Sequence, residues 1–97
     1  METPFSASDA ETIAVAHGAQ QIRAEFGTDD HWHWECPQIT LTSMQLGEGW
    51  YPIYDVEITF FRLPRLMQKG WQWKMHYQVD PANRVVVGYR TISRKRT

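Results

Sequence analysis

Hydrophobic and polar positions change period once along this chain, from helical to alternating. Val15, Ala19, Ile22 and Phe26 fall on one stripe at helical spacing, with His17, Gln20 and Gln21 opposite. Ahead of them, Ser8-Asp9-Ala10-Glu11 has the Ser-x-x-Glu spacing of a capping box, in which the two end residues satisfy each other's free backbone amides. Gly27 supplies a C-terminal stop. The pattern predicts a helix over 8–26, in which Gly18 costs about 1 kcal/mol relative to alanine.

The rest reads as strands. Residues 38–46 are rich in Thr and aliphatic side chains. Ile39 and Leu41 share one parity and Met44 and Leu46 the other, which predicts a bulge near Ser43. Gly47-Glu48-Gly49 marks a turn. Over Tyr54–Phe61, Val56, Ile58 and Phe60 alternate with Asp55, Glu57 and Thr59. Leu63 to Gly70, with Pro64 and Gly70, is a connection or a short helical turn. Trp71, Trp73, Met75, Tyr77 and Val79 then alternate with Gln72, Lys74, His76 and Gln78. Asp80-Pro81-Ala82-Asn83 has the residues of a type I turn, with Asn83 tolerating the left-handed conformation next. A three-residue loop closed by Asp80 and Arg84 would pair 79 with 85, 77 with 87 and 75 with 89. Val85, Val87 and Tyr89 would then share the face of the tryptophans.

These elements predict an α+β fold, α-β-β-β-β, with one N-terminal helix packed on a four-stranded antiparallel sheet. Small helix residues (Val15, Ala19) would oppose large sheet residues (Trp71, Trp73, Tyr77), letting the layers interdigitate. The 97 residues fit one domain, 1–97, with 1–7 and 93–97 as flexible ends. An apolar fraction of 42% with 22% charge argues against intrinsic disorder. The single Cys36 excludes an internal disulfide framework and suits a reducing compartment. No apolar run approaches the ~20 residues of a membrane helix, and the N-terminus lacks the basic-then-apolar order of a signal peptide. A cytoplasmic protein is the expectation.

Charge changes the picture more than composition does. Residues 1–57 hold ten of the eleven carboxylates and only one basic side chain, Arg23, while residues 58–97 hold the other nine Lys and Arg against Asp80. If the two segments form separate patches, the molecule has opposite poles that steer it toward charged partners.

The sharpest chemical candidate is His31-Trp32-His33-Trp34-Glu35-Cys36. In an extended chain His31, His33 and Glu35 share one face, as a metal site would need, with His76 as a possible fourth ligand. The His-x-His-x-Glu order is similar to a cupin metal strand. The glycine framing, the wider spacing to the Glu and the second motif with its further His are missing, and no family assignment follows. Against metal binding stands the simpler expectation of an edge strand with Trp32 and Trp34 inward and the histidines in water. Cys36 beside His31 or His33 has no orienting third group, and a buried structural thiol is the simpler reading. There is no phosphate-cradling glycine loop and no G-x-S-x-G, and the sequence implies neither a cofactor nor an enzyme.

The remaining candidates are large or basic side chains: Trp32, Trp34, Trp50 and Tyr51 next to turns, and Lys74, Arg84, Arg90, Arg94, Lys95 and Arg96 in the last hairpin and tail. Lys74 would face Arg90, a like-charge pair, unless the strand over 54–61 places Asp55 or Glu57 beside it. Trp, Tyr and Arg dominate the energetic centres of protein interfaces. The leading expectation is a protein-binding module of the inhibitor, immunity or anti-defence type found in bacteria and phages. A homodimer joining opposite poles is compatible with it, and nucleic-acid binding through the basic C-terminal hairpin and tail is the alternative.

Overall fold

The computed structural model describes residues 4–27, 31–66 and 69–96. It contains a helix, α1 (Ala7–Phe26), followed by β1 (His33–Leu46), β2 (Gly49–Arg62), β3 (Trp71–Asp80) and β4 (Val85–Arg96). The four strands form one antiparallel sheet in the order β1-β2-β3-β4, and α1 packs on one face of it. The α+β class is as expected. The strand count differs, because Arg65 in the β2–β3 connection forms a further single-residue bridge, a fifth extended element outside the main sheet. Among the described residues no helix is long and apolar enough to cross a membrane.

The helix cap lies two residues before the predicted one, at Ser6. Ser6 Oγ accepts from the Asp9 amide at 3.3 Å, and Asp9 Oδ2 accepts from the Ser6 amide at 2.9 Å. Ser6-x-x-Asp9 thus makes the reciprocal bonds expected of Ser8 and Glu11, and starting there lets Phe5 reach the core and Tyr54, ring to ring at 5.5 Å. The Ser6 hydrogen bonds, backbone first, hold the Asp9 carboxyl below its ordinary range. At the other end Gly27 adopts φ 80, and its amide donates to Arg23 O.

The buried stripe of α1 is also rotated from the predicted one. Ala10, Ala14, Gly18 and Ile22 are buried, while Val15 and Phe26 flank them. Four positions spaced by four, three of them small, let the helix approach the bulky sheet face. A methyl group on Gly18 would overlap the Phe60 ring and come within 2.9 Å of Tyr77 Oη. The small-on-large packing is therefore present through different residues. His17 and Gln21, expected on the far side, face the sheet instead. The His17 ring lies 4.9 Å from Tyr89 and 5.6 Å from Tyr77, whose hydroxyl donates to Gln21 Oε1 at 2.7 Å. Burial and the neighbouring Tyr89 push the Tyr77 hydroxyl well above the ordinary tyrosine range.

The sheet core is the predicted one in β2 and β3: Val56, Ile58 and Phe60 with Trp71, Trp73, Met75, Tyr77 and Val79. The β1 bulge falls between Glu35 and Gln38 rather than near Ser43. Pro37 has no amide to give the ladder, so the irregularity collects there. From Gln38 to Leu46 the register is unbroken, and Met44 belongs to the face away from the helix.

The β3–β4 loop has four residues, closed by Asp80 and Val85, with Arg84 rather than Asn83 at positive φ (56). Asp80 accepts from the Ala82 amide and from Asn83 Nδ2, and these bonds, the Asn83 side chain first, hold its carboxyl below its ordinary range. The four-residue loop sets Val86, not Val85, opposite Val79 and toward the core; Val85, Val87 and Tyr89 are exposed, although Tyr89 pairs with Tyr77, and two register shifts follow along the pair. They also place Lys74 opposite Ser93, so the predicted Lys74–Arg90 clash does not occur. Ser93–Arg96, expected as part of a loose tail, completes β4 opposite Lys74 to Trp71; Thr97 lies outside the described residues.

A difference in length organises the molecule. The 20-residue helix spans about 30 Å. The 14-residue strands β1 and β2 span about 46 Å. Phe5 at one end of α1 meets Tyr54, and Phe26 at the other stacks on Trp71 with centroids 4.6 Å apart. The ladder between β2 and β3 ends at Tyr54–Val79. Beyond it β1 and β2 continue alone as a two-stranded arm, residues 42–53, which gives the molecule its 53 × 30 × 23 Å outline.

Candidate functional site

The arm turns through Gly47-Glu48, with Leu46 paired to Gly49 and Gly47 at φ 64, as a two-residue hairpin loop with positive φ at its first position requires. Trp50 and Tyr51 follow on opposite faces. Trp50 is 67% exposed and Tyr51 52%, and Leu41, paired with Tyr54 where the arm leaves the body, is 58% exposed. On the face away from α1, a cavity of about 470 Å³ opens where the arm meets the β3–β4 turn. Met44, Tyr51, Ile53 and Val87 line it, with Asp80 and Asn83 from the turn. Ile53 is buried although it lies outside the main core. The site thus pairs projecting rings with an apolar hollow that fits a partner's aliphatic or aromatic side chain.

The other predicted aromatics lie elsewhere. Trp34 pairs with Phe60, and ten residues of β2 separate that rung from Trp50, about 33 Å along the strand. Trp34 is 45% exposed, whereas Trp32 packs edge-on against Phe60 with centroids 5.7 Å apart. Trp32 is therefore a core-edge residue. The acidic loop Asp29-Asp30, expected beside these rings, lies outside the described residues.

The basic candidates divide by partner. The Arg94 guanidinium stacks 4.6 Å above Trp73 and bonds Glu25 at 2.8 Å, and Arg84 sits 5.6 Å over Phe5. Lys74 lies 3.9 Å from Glu57, and His76 Nε2 lies 3.0 Å from Asp55 Oδ1. The neutralised row anticipated for β2 beside β3 is thus present. Arg90, Lys95 and Arg96 have no carboxylate partner among the described residues.

Of the predicted pair of discrete poles, the described residues show the positive one. Because the sheet keeps chain order, β4 is a purely cationic edge. Among the described residues the carboxylates instead spread over α1, β1, β2, the arm turn and the end of β3, and Glu25, Asp55 and Glu57 each sit beside a basic side chain.

The metal candidates are not gathered. His33 lies against the Phe61 ring at 5.8 Å, Glu35 lines a separate cleft with Thr59 and Trp71, and His76 is held by Asp55. Among the described residues no three His, Cys, Asp or Glu side chains converge on a metal-sized point, and His31 joins no such group. Burial, reinforced by a hydrogen bond and charge from Glu11, pushes the Cys36 thiol from an ordinary 9.0 to about 11. It stays protonated near neutral pH, the wrong state for a nucleophile.

Sequence reasoning missed the cavity. Its one signal was the parity of Met44, opposite to Ile39 and Leu41, which fits a residue aimed at the second face as well as it fits a bulge. No protein-family model, curated protein or solved structure matches this chain.

Proposed function

We propose that this protein is a small non-enzymatic binding module that occupies a surface of a larger protein through its arm, in the manner of an inhibitor, immunity or anti-defence protein. The observation that carries the reading is the overhang. The helix stops about 16 Å short of the sheet's end, and the uncovered arm bears Trp50 on one face and, on the other, Tyr51 at the rim of an apolar cavity. Trp and Tyr side chains have few rotatable bonds and so lose little entropy on docking, and such rings concentrate interface energy. The cationic β4 edge contributes steering toward an acidic partner. The protonated Cys36 thiol fits a protein without covalent chemistry.

The test is affinity capture from the source cell with the wild type and a Trp50→Ala/Tyr51→Ala double variant, both checked by circular dichroism. The reading expects one protein retained by the wild type and lost by the folded variant. Equal retention by both, or no reproducible partner, would remove it.

A second reading, nucleic-acid binding along β4, has one observation in its favour: Tyr89 is exposed beside Arg90 on a strand without carboxylates. It expects retardation of DNA or RNA in a gel at ~50 mM salt that vanishes steeply as salt rises. Absence of any shift at low salt ends it.

A further inference from the structure

The two edges of the sheet are guarded very differently. Edge strands carry unpaired backbone groups, and proteins blunt them with charge, proline and bulges. β4 has Arg90, Arg94, Lys95 and Arg96 and two register shifts. β1 has its shift and Pro37 at one end only, and from Gln38 to Leu46 it runs nine residues without a charge, a proline, a glycine or an irregularity. Gln-Ile-Thr-Leu-Thr-Ser-Met-Gln-Leu is also rich in β-branched residues, and Leu41 in its middle is exposed.

We propose that β1 is a self-association edge: two copies of this chain pair their β1 strands antiparallel about a two-fold axis at Thr42, joining two four-stranded sheets into one of eight. The inference goes beyond the arm-docking function and does not depend on it.

Charge selects the second copy as occupant. An antiparallel pair of β4 strands centred near Ile92 would set Arg90 against Arg94 in both directions, and like charges directly opposite are unfavourable. The same operation on β1 sets no charges opposite one another anywhere between Gln38 and Leu46. A head-to-tail pairing of β1 on β4 would meet the two β4 irregularities and leave edges open for a filament, whereas the two-fold arrangement closes.

Geometry selects Thr42 as the axis. Leu41–Tyr54 is the last rung of the body and Thr42–Ile53 the first rung of the arm. Pairing about Thr42 lays the arm of each copy along the body of the other. An isolated two-stranded ribbon is marginal in water, and the β1 half of each arm becomes an interior strand of the joined sheet. Leu41 then faces Ser43 of the second copy and lies about 7–8 Å diagonally from its Leu41, which removes that apolar side chain from water.

Analytical ultracentrifugation of the full chain from about 5 to about 500 μM tests this. The expected result is a shift from 11.4 kDa toward twice that mass. The equilibrium should be nearly insensitive to salt, because the edge is uncharged. Thr42→Lys sets two ammonium groups face to face at the axis and is expected to weaken the dimer by tenfold or more at unchanged circular dichroism, while Arg90→Glu leaves it intact. Thr42→Cys on a Cys36→Ser background supplies a second readout and should cross-link on mild oxidation. A monomer across the whole range, growth past the dimer, dissociation by salt with Arg90→Glu disruptive, or absence of the Thr42→Cys cross-link would each overturn the proposal.

Discussion

Between Tyr54 and Arg62, β2 buries Val56, Ile58 and Phe60 beneath the helix. Between Gly49 and Ile53 the same strand leaves Trp50 and Tyr51 in water. The rings at 50 and 51 are larger than the aliphatic side chains at 56 and 58 and offer more apolar area to bury, each with one polar group at its edge. What separates the two regions is coverage: α1 reaches from Tyr54 to Trp71 and no further, and β3 and β4 turn back at the same level. Burial here is set by the lengths of the elements laid across the sheet, and hydrophobicity outside that footprint is available for contacts with other molecules.

The widest separation between body and arm is expected in stability. Phe60 is fully buried, packed edge-on with Trp32 and Tyr77 and against Gly18. Phe60→Ala should cost about 3–5 kcal/mol in urea unfolding, from lost transfer energy plus the cavity left behind. Trp50→Ala, although it deletes a larger side chain, should change stability by no more than about 0.5 kcal/mol in the monomer. Comparable losses for the two variants would mean that the arm is packed on something, and the division into body and arm would fall.

A finer probe lies in the helix. Gly18→Ala improves intrinsic helix propensity by about 1 kcal/mol. At this position the added methyl runs into Phe60 and Tyr77, two rings held in place by their own neighbours. Overpacking of that kind costs about 1–3 kcal/mol or more, so the net change should be destabilising and the midpoint should fall. A rise in midpoint would show that α1 rides farther from the sheet than its small-residue stripe implies.

The body was legible in the sequence to a degree the arm was not. Alternation over Trp71–Val79 and Tyr54–Phe61 is a local signal, and both strands are buried on that pattern. The helix stripe came out one position off because Val15 and Ala19 look as apolar as Ala10 and Ala14. Only the bulk of Phe60 and Tyr77 selects the smaller set. The cap slid to Ser6 for a similar reason, since Ser6-x-x-Asp9 and Ser8-x-x-Glu11 are locally equivalent and only Phe5 docking on Tyr54 distinguishes them. The β3–β4 register depended on which residue takes positive φ. Arg84 does so instead of Asn83, and that one-residue change displaced Val85, Val87 and the Lys74–Arg90 pairing. The arm and its cavity arise from where separate elements stop relative to one another, which no spacing along the chain encodes.

The smallest expected effect sharpens the same boundary at β1, where Cys36 sits in the bulge and shares a hydrogen bond with Glu11 of α1. Its thiol pKa is raised from 9.0 to about 11, so the fold favours the neutral form. That contribution to stability is present below pH 9 and is lost as pH climbs through about 11. In alkylation by iodoacetamide at pH 8, a shift of that size cuts the thiolate fraction roughly a hundredfold, and the greater nucleophilicity of a more basic thiolate returns part of it. Native Cys36 should therefore react about tenfold more slowly than the same thiol in urea. On a Cys36→Ser background, Tyr51→Cys in the arm should react at nearly the unfolded rate. Equal protection of the two positions would put the arm under cover, and equal reactivity would detach β1 from the helix.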